Sequence, residues 1–250
     1  MRTIQEHFYV TPLHPICYQP CMLSIIMPTL NASKQLPQCL NALVCGALNG
    51  LVKELIVVDG GSDDATLLMA DEAGAVIVKS ERGRGVQLQA GGKIAKSEWL
   101  LFLHADTVLA DGWVDEVKIF IKNGDTQGDT QKVGIFRFAL DDPRKRARLL
   151  ETIVRIRCAL IALPYGDQGL LISRALYDEI GGFKDLALME DVDIVSRIGR
   201  QRLHYFKTAA VTSAERYKND GYISRMARNA RCLTMWFAGV APEKILEKYQ

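Results

Sequence analysis

Residues 55–64, Leu-Ile-Val-Val-Asp-Gly-Gly-Ser-Asp-Asp, form an apolar run that ends in acidic and glycine residues, and they decide the predicted fold. An apolar run followed by acidic residues also occurs in residues 99–107 (Trp-Leu-Leu-Phe-Leu-His-Ala-Asp-Thr) and 188–193 (Leu-Met-Glu-Asp-Val-Asp). In open α/β sheets, ligands bind outside the carboxyl ends of the strands, so we expect three carboxylate clusters at one crevice. Carboxylates held close together repel one another unless a cation or a proton intervenes. The pattern indicates a metal-assisted site for a phosphorylated substrate.

Short apolar runs alternate with helical periodicity in the first half of the chain. This alternation predicts an α/β fold with a mostly parallel sheet that helices cover on both faces. The predicted strands are 23–27, 55–58, 75–78 and 99–103, and the predicted helices between them are 35–48, 62–73 and 86–95.

Two segments after the fourth strand have different patterns. Residues 123–132 contain Gly-Asp-Thr-Gln twice, and this polar duplication predicts an exposed loop insertion. Residues 133–140 alternate well enough to predict a further strand at the edge of the sheet. For the whole chain we predict an irregular tail over 1–21, one domain over 22–220 and a helical extension over 221–250.

Composition excludes several classes of protein. A net charge of +2 gives no reason to expect nucleic acid as a partner, and an apolar fraction of 48% is ordinary for a globular chain. The six cysteines show no paired Cys-x-x-Cys spacing, which argues against zinc and disulfides and favours a reducing, cytoplasmic setting. No stretch resembles the roughly 20 apolar residues of a spanning helix.

Residues 143–163 combine an apolar helical stripe with six arginines or lysines and a single acid after Pro143, Glu151. One interpretation is a basic amphipathic helix in peripheral contact with an anionic membrane. The other is a helix that packs on the domain and leaves its basic edge in water. The sequence leaves both interpretations open.

Several side chains near the predicted strand ends have the chemistry of a nucleotide and metal site. Asp106 follows a strand and suits a hard divalent cation, Mg²⁺ or Mn²⁺, that bridges phosphate oxygens. Asp59 is placed to accept a hydrogen bond from a base or ribose, and Ser62 or Asp64 to cap the next helix. Arg84, between two glycines, is placed to meet a nucleotide. For each Asp, the alternative is a carboxylate that only caps a helix.

Two further segments are candidates for the reacting end of the site. Glu190 and Asp191 precede a predicted helix over 192–198, and either carboxylate could act as a general base near the metal. Tyr165-Gly-Asp167-Gln168 is a compact polar turn between apolar segments, and it could line an acceptor pocket.

Taken together, these segments resemble the family 2 glycosyltransferases, which have the GT-A fold. Pro28-Thr29-Leu30-Asn31 is similar to the opening motif of the family, and Asp59 with its following turn to the nucleotide-binding turn. His104-Ala-Asp106 is similar to the metal-binding DxD motif, and Met189-Glu190-Asp191 to the catalytic-base motif. The resemblance covers residues 22–217. A narrower set of motifs, including Tyr-Gly-Asp-Gln, resembles the arsenosugar biosynthesis glycosyltransferases.

The resemblance implies an inverting transfer of a sugar from a nucleotide diphosphate, with UDP favoured, to a hydroxyl of a small-molecule or lipid acceptor. It implies Asp191, with Glu190 beside it, as the catalytic group and Mg²⁺ or Mn²⁺ on Asp106. Arg84 or Arg216 would stabilise the departing diphosphate. The nucleotide-sugar site would comprise Pro28, Thr29, Asn31, Asp59, Ser62, Arg84, His104 and Asp106, and the acceptor side Tyr165, Asp167, Gln168 and Arg216.

The chain departs from the family pattern at two positions. His104 stands where the DxD motif has its first Asp, and Gly60 where the family commonly has a second Asp after Asp59. The Gln-x-x-Arg-Trp motif of the processive synthases is absent from the sequence. Alternatives are a nucleotidyltransferase, a haloacid-dehalogenase-type phosphatase, and a non-catalytic protein that binds nucleotides or membranes. The first would need a glycine-rich basic loop after strand one, and the second a nucleophilic Asp.

Overall fold

The computed structural model describes residues 23–127 and 130–249, so the tail predicted over 1–21 lies outside the described residues. The described residues form a mixed α/β fold in which helices flank one curled eight-stranded sheet. The predicted α/β fold is therefore confirmed. The strands are β1 Leu23–Thr29, β2 Val52–Asp59, β3 Val76–Lys79, β4 Trp99–Phe102, β5 Thr107–Leu109, β6 Val133–Leu140, β7 Leu170–Ser173 and β8 Leu203–Thr212.

The helices of the described residues cover both faces of this sheet. They are α1 Leu36–Leu48, α2 Thr66–Glu72, α3 Arg84–Ile94, α4 Trp113–Gln127, α5 Lys145–Ile161, α6 Arg174–Glu179, α7 Glu190–Ile198, α8 Glu215–Asp220, α9 Tyr222–Phe237 and α10 Pro242–Tyr249. No helix among them has the length and apolar character needed to cross a membrane.

The strand order β3-β2-β1-β4-β7-β6-β8-β5 divides the sheet into two halves. Strands β3, β2, β1 and β4 are parallel, so their carboxyl ends lie along one edge. The direction reverses at β7, which is antiparallel to both β4 and β6. In the first half, Thr29 lies beside Asp59 in the register of β1 and β2, and β4 leads directly into His104. The register therefore brings three predicted motifs to the same edge.

Alternating side chains of the strands pack into two apolar layers, one on each face. Ile25 and Met27 of β1 point to the face covered by α1 and α4, where Trp113 is buried. Ile26 of the same strand points to the opposite face, whose core also includes residues of α7, α9 and α10. The helices predicted as an extension, α9 and α10, contribute Cys232 and Ile245 to that core. They therefore pack on the sheet, although the predicted domain boundaries stay a prediction.

Two predictions about the middle of the chain are wrong. Strand β6 pairs with β7 and β8 and is an interior strand, whereas the sequence predicts it at an edge. All of its residues except Arg137 are buried, which suits a strand with neighbours on both sides. Residues 123–127 of the predicted loop form the end of α4, a helix that the sequence reading did not predict. Val117 and Ile121 anchor α4 on the sheet, and its polar end continues the same helix.

Candidate active site

Asp59 at the end of β2 organises the first turn of the site. Its carboxylate accepts hydrogen bonds from Thr29 Oγ1 (3.0 Å), Gly61 N (2.9 Å) and both the amide and the hydroxyl of Ser62 (2.8 and 2.5 Å). Burial disfavours the charged carboxylate, but the hydrogen bonds from Ser62, Gly61 and Thr29 outweigh it and lower the pKa of Asp59. The carboxylate is thus ionised and engaged within the turn.

The loop after β1 is fastened to the same turn. Asn31 has a left-handed backbone (φ 50°), its amide donates to Ser62 Oγ (2.9 Å), and its side-chain oxygen accepts from Asp63 N (2.9 Å). Asp64 accepts from Thr66 N (2.9 Å) where α2 begins. Ser62 and Asp64 therefore hold the two loops in place.

A cleft of about 430 Å³ opens beside these loops, at the carboxyl ends of β1 and β4. Of the eight residues predicted for the nucleotide sugar, six line it, while Asp59 and Ser62 lie behind its wall. Arg216 of α8, predicted on the acceptor side, lies on this cleft too. The six are Pro28, Thr29, Asn31, Arg84, His104 and Asp106.

Arg84 connects the cleft to the start of α7. Its Nε lies 2.9 Å from Glu190 Oε1, and the Glu190 side chain is only 1% exposed. Burial raises the pKa of Glu190, while the Arg84 charge works against that shift. The negative charge of Glu190 in turn raises the pKa of Arg84, so the guanidinium stays charged. Glu190 does not line the described cavities at this crevice, and its contact is with Arg84.

Asp191 is held by two backbone amides at the N-terminus of α7. Gly166 N donates to its Oδ2 (2.9 Å) and Val192 N to its Oδ1 (2.8 Å). The residue before the acidic pair, Met189, has a left-handed backbone (φ 68°), which turns the chain sharply into the helix. The helix dipole and the amides favour a negative charge at this position. Asp191 is therefore a fixed carboxylate that faces the crevice.

The third acid of the 188–193 signature does not join the crevice. Asp193 accepts from Lys184 Nζ (3.0 Å) and from Arg197 Nε (2.8 Å). It ties α7 to the preceding loop. The predicted convergence of the acidic clusters therefore includes Asp191 but not Asp193.

A second cavity, of about 110 Å³, adjoins the 430 Å³ cleft, and Arg84, His104 and Asp106 line both spaces. We call the larger space the nucleotide cleft, after the ligand predicted for it. The cavity also receives Asp191 and Asp167. Carboxylates from β4, the turn after α5 and the start of α7 therefore face one small volume, which we call the reaction cavity.

His104 is a neutral imidazole in this setting. Burial, together with the charge of Arg84, lowers its pKa from the ordinary 6.5 to about 4. A Cβ placed on Gly166 would lie 2.8 Å from His104 Nε2, so the turn must carry glycine to come this close to the ring. A neutral imidazole has a free lone pair for a metal or a hydrogen bond.

The polar turn after α5 sends its side chains in different directions. Tyr165 lies under the guanidinium of Arg157, 3.5 Å from ring centroid to Cζ, and lines the reaction cavity. Burial, and more weakly Asp191 and Asp106, raise the pKa of Asp167 to about 6 although Arg157 opposes the shift. Gln168 is buried, donates to Phe136 O (3.0 Å) and accepts from Cys158 Sγ (3.4 Å). It braces the turn and does not line the reaction cavity.

The residues at the reaction cavity suit a divalent cation. Within 23–127 and 130–249, no group of three or more His, Cys, Asp or Glu side chains is already gathered around one metal position. The donor set nevertheless fits, because Asp106 and Asp191 offer hard oxygen ligands and His104 a neutral nitrogen. One oxygen of Asp167, Oδ1, is also buried without a hydrogen-bond partner. Asp106 and His104 would hold the ion.

Of the helices after β8, the sequence places only Arg216 of α8 at the predicted site. These helices supply further residues to the reaction cavity, and Arg225 donates to the Tyr249 hydroxyl (2.8 Å) across α9 and α10. The arginines within residues 225–231 stand out in the sequence, but nothing in the local pattern predicts that they lie beside the crevice. The missed residues are Tyr217, Arg225, Asn229 and Tyr249.

A parallel half-sheet with a cleft and carboxylates at its carboxyl edge matches the fold of the GT-A glycosyltransferases. The chain belongs to the Glycosyl transferase family 2, which matches residues 24–180. A PGL/p-HBAD biosynthesis glycosyltransferase of Mycobacterium bovis is 40% identical over 98 residues, 35% of this chain and 36% of the relative. An uncharacterized glycosyltransferase of Rickettsia bellii is 30% identical over 97 residues, 38% of this chain and 31% of the relative. The chain thus spans about a third of these curated relatives.

Solved structures support the same fold. Glucosyl-3-phosphoglycerate synthase from Mycobacterium tuberculosis, in complex with Mn²⁺ and UDP-glucose, has a TM-score of 0.59 at 18% identity, covering 89% of this chain and 81% of that one. S. aureus TarS has a TM-score of 0.56 at 17% identity, covering 83% of this chain and 39% of that one. At such identities the likeness establishes the fold alone. The finer likeness to arsenosugar biosynthesis glycosyltransferases stays a prediction.

The neutral state of His104 predicts a pH dependence of stability. Its pKa in the folded chain, about 4, lies below the ordinary 6.5, so the unfolded chain binds the proton more readily between these values. The contribution of neutral His104 to the free energy of unfolding is complete above pH 6.5 and is lost as the pH falls toward 4. In metal-free urea titrations, His104→Gln should remove on the order of 3 kcal/mol of this pH-dependent change. His204→Gln, on an exposed site of β8, should keep the wild-type slope, and equal slopes for His104→Gln and wild type would contradict the assignment.

Proposed function

We propose that the chain transfers a sugar from a nucleotide diphosphate, with UDP as the first candidate, to a hydroxyl group. The observation that carries this proposal is that the two spaces adjoin, because Arg84, His104 and Asp106 line both the nucleotide cleft and the reaction cavity. A diphosphate in the cleft would place its sugar among the carboxylates. The UDP-glucose and Mn²⁺ named for glucosyl-3-phosphoglycerate synthase support the choice of donor.

In this proposal, Asp191 removes the proton of the acceptor hydroxyl. Two backbone amides fix its carboxylate, and each oxygen keeps a further lone pair for the acceptor. The activated hydroxyl then attacks the anomeric carbon from the face opposite the diphosphate, which inverts the configuration. Glu190 acts on this step indirectly, since it holds Arg84 beside the reaction cavity.

The departing diphosphate gains negative charge, and cationic groups around Asp106 are placed to stabilise it. Arg84 and Arg216 line the cleft on either side. A bound Mg²⁺ or Mn²⁺ would neutralise part of the same charge. Preorganised charges of this kind lower the barrier because they need little rearrangement during the reaction.

Replacing Asp191 tests the proposed base. Asp191→Asn keeps the size of the side chain but removes its basicity, so the transfer rate should fall by about 10²–10⁴-fold. Stability in the presence of UDP and Mn²⁺ should remain near that of wild type. The rate is measured as UDP release in an acceptor screen, with Asp178→Asn on the exposed side of α6 as the control. Turnover near wild type in Asp191→Asn would remove Asp191 from this role.

Replacing Asp106 tests the donor site and its metal together. In thermal-shift titrations against UDP, GDP, CDP and dTDP, one nucleotide with Mn²⁺ or Mg²⁺ should stabilise wild type by about 2.7 kcal/mol at 100 times its Kd. EDTA or Asp106→Asn should remove most of that gain, whereas Asp111→Asn, an exposed neighbour, should not. Absence of any shift in wild type would contradict a nucleotide-sugar site.

We also propose that a lipid-bearing surface is one source of the acceptor. Helix α5 exposes a stripe of large apolar side chains, Leu149, Ile153, Ile156 and Leu160, beside exposed arginines. Such a face favours an anionic membrane surface. The names of the mycobacterial relatives refer to PGL/p-HBAD biosynthesis, but they leave the acceptor of this chain undefined.

The α5 stripe gives a direct sedimentation test. A triple variant with Leu149→Gln, Ile156→Gln and Leu160→Gln loses most of the exposed apolar area, so a smaller fraction should sediment with anionic vesicles. Ile119→Gln, on the exposed face of α4, serves as the control and should behave as wild type. If the triple variant sediments as wild type does, the stripe is an ordinary solvent-exposed face.

A further inference from the structure

We propose that the acceptor carries an apolar group that enters a separate chamber between α5 and α9, directly beside the reaction cavity. This inference rests on the proposed sugar transfer and names the class of acceptor for it. The acceptor would be amphiphilic, with a hydroxyl-bearing end at Asp191 and an apolar end in the chamber.

The chamber has a volume of about 180 Å³. Phe138 of β6 and the buried faces of Leu150 and Val154 on α5 form its inner wall, while Met226 and Leu233 of α9 close the other side. Most of its lining is apolar, and among the described residues Arg157 and Asp167 are the charged side chains in it. A cavity of about 150 Å³ lined by apolar side chains is large enough for benzene, so this chamber can hold one aromatic ring or a short alkyl chain.

The chamber and the reaction cavity share a common boundary. Tyr165, Asp167, Tyr217 and Asn229 line both spaces. A molecule whose hydroxyl reaches Asp191 would therefore pass these side chains before its remaining atoms enter the apolar space. The order of the spaces is nucleotide cleft, reaction cavity and apolar chamber.

Polar atoms without partners lie at this boundary. Asp167 Oδ1 and Arg157 Nε are both buried and make no hydrogen bond within the protein. A buried polar atom without a partner is costly, and it favours a ligand that supplies one. Asp167 would accept from a hydroxyl of the acceptor, and Arg157 would donate to an oxygen. The boundary thus suits a polar segment, and the chamber behind it suits an apolar one.

The far side of the chamber reaches the surface at Ile153. This side chain lines the chamber, yet 39% of it is exposed on the outer face of α5. A chain longer than the chamber could leave there, along the apolar stripe of α5. Ile153 is therefore the residue at which a larger side chain would fill the chamber without disturbing the reaction cavity.

The test compares two glucosides that differ only in their apolar part. Octyl β-D-glucoside, below its micelle-forming concentration, and methyl β-D-glucoside are titrated calorimetrically into the protein with UDP and Mn²⁺ present. Wild type should bind the octyl compound at least about tenfold more tightly, because buried methylenes contribute favourably to binding. Ile153→Trp should remove that preference.

A matched variant separates filling of the chamber from a general effect of tryptophan. Ile119 is also an isoleucine on the exposed face of a helix, α4, and lies outside the chamber. Ile119→Trp should keep the wild-type preference for the octyl compound. Equal affinities of the two glucosides for wild type, or an unchanged preference in Ile153→Trp, would overturn the proposal.

A separate titration distinguishes this inference from the donor site. UDP with Mn²⁺ should bind Ile153→Trp as tightly as wild type, since Ile153 lies outside the nucleotide cleft. Failure of UDP to bind wild type would contradict the proposed function, whereas the glucoside preference reports on the chamber alone.

Discussion

The ion pair between Arg84 and Glu190 joins the two sides of the crevice. Arg84 begins α3, which lies between the parallel strands β3 and β4, and Glu190 begins α7, which lies between β7 and β8. A carboxylate as buried as Glu190 is stable only beside a cation. Because Asp191 is the next residue, this pair fixes where the second carboxylate points. The position of Asp191 therefore depends on a contact made far away in the sequence.

Charge within the reaction cavity is balanced by groups of different kinds. Three carboxylates face it, while Arg84, Arg216 and Arg225 bring positive charge and His104 brings none at neutral pH. Burial is the main cause of the raised pKa of Asp167, and the charges of Asp191 and Asp106 add to it. A bound cation would relieve part of the repulsion among the three carboxylates.

The sequence predicts well what local order determines. The first two acidic motifs each follow a strand of the parallel half, so these strands place Asp59, His104 and Asp106 at one edge. The sequence predicts poorly those features that depend on pairing between segments far apart in the chain. The interior position of β6 follows from its pairing with β8, which begins at Leu203. The turn containing Tyr165 shows no local sign that Gln168 points inward, and Tyr249 reaches the crevice only because α10 folds back along α9.

The reversal of strand direction between β4 and β7 has a consequence for how such proteins diversify. The nucleotide cleft is built mainly from segments before this boundary, whereas most of the apolar chamber comes from β6, α5 and α9 after it. Mutations in the later segments can reshape the chamber while the nucleotide loops keep their contacts. Under the proposed acceptor site, recombination at this boundary would exchange the chamber as a unit and leave the nucleotide loops in place, so the junction is a natural crossover point for chimeric proteins.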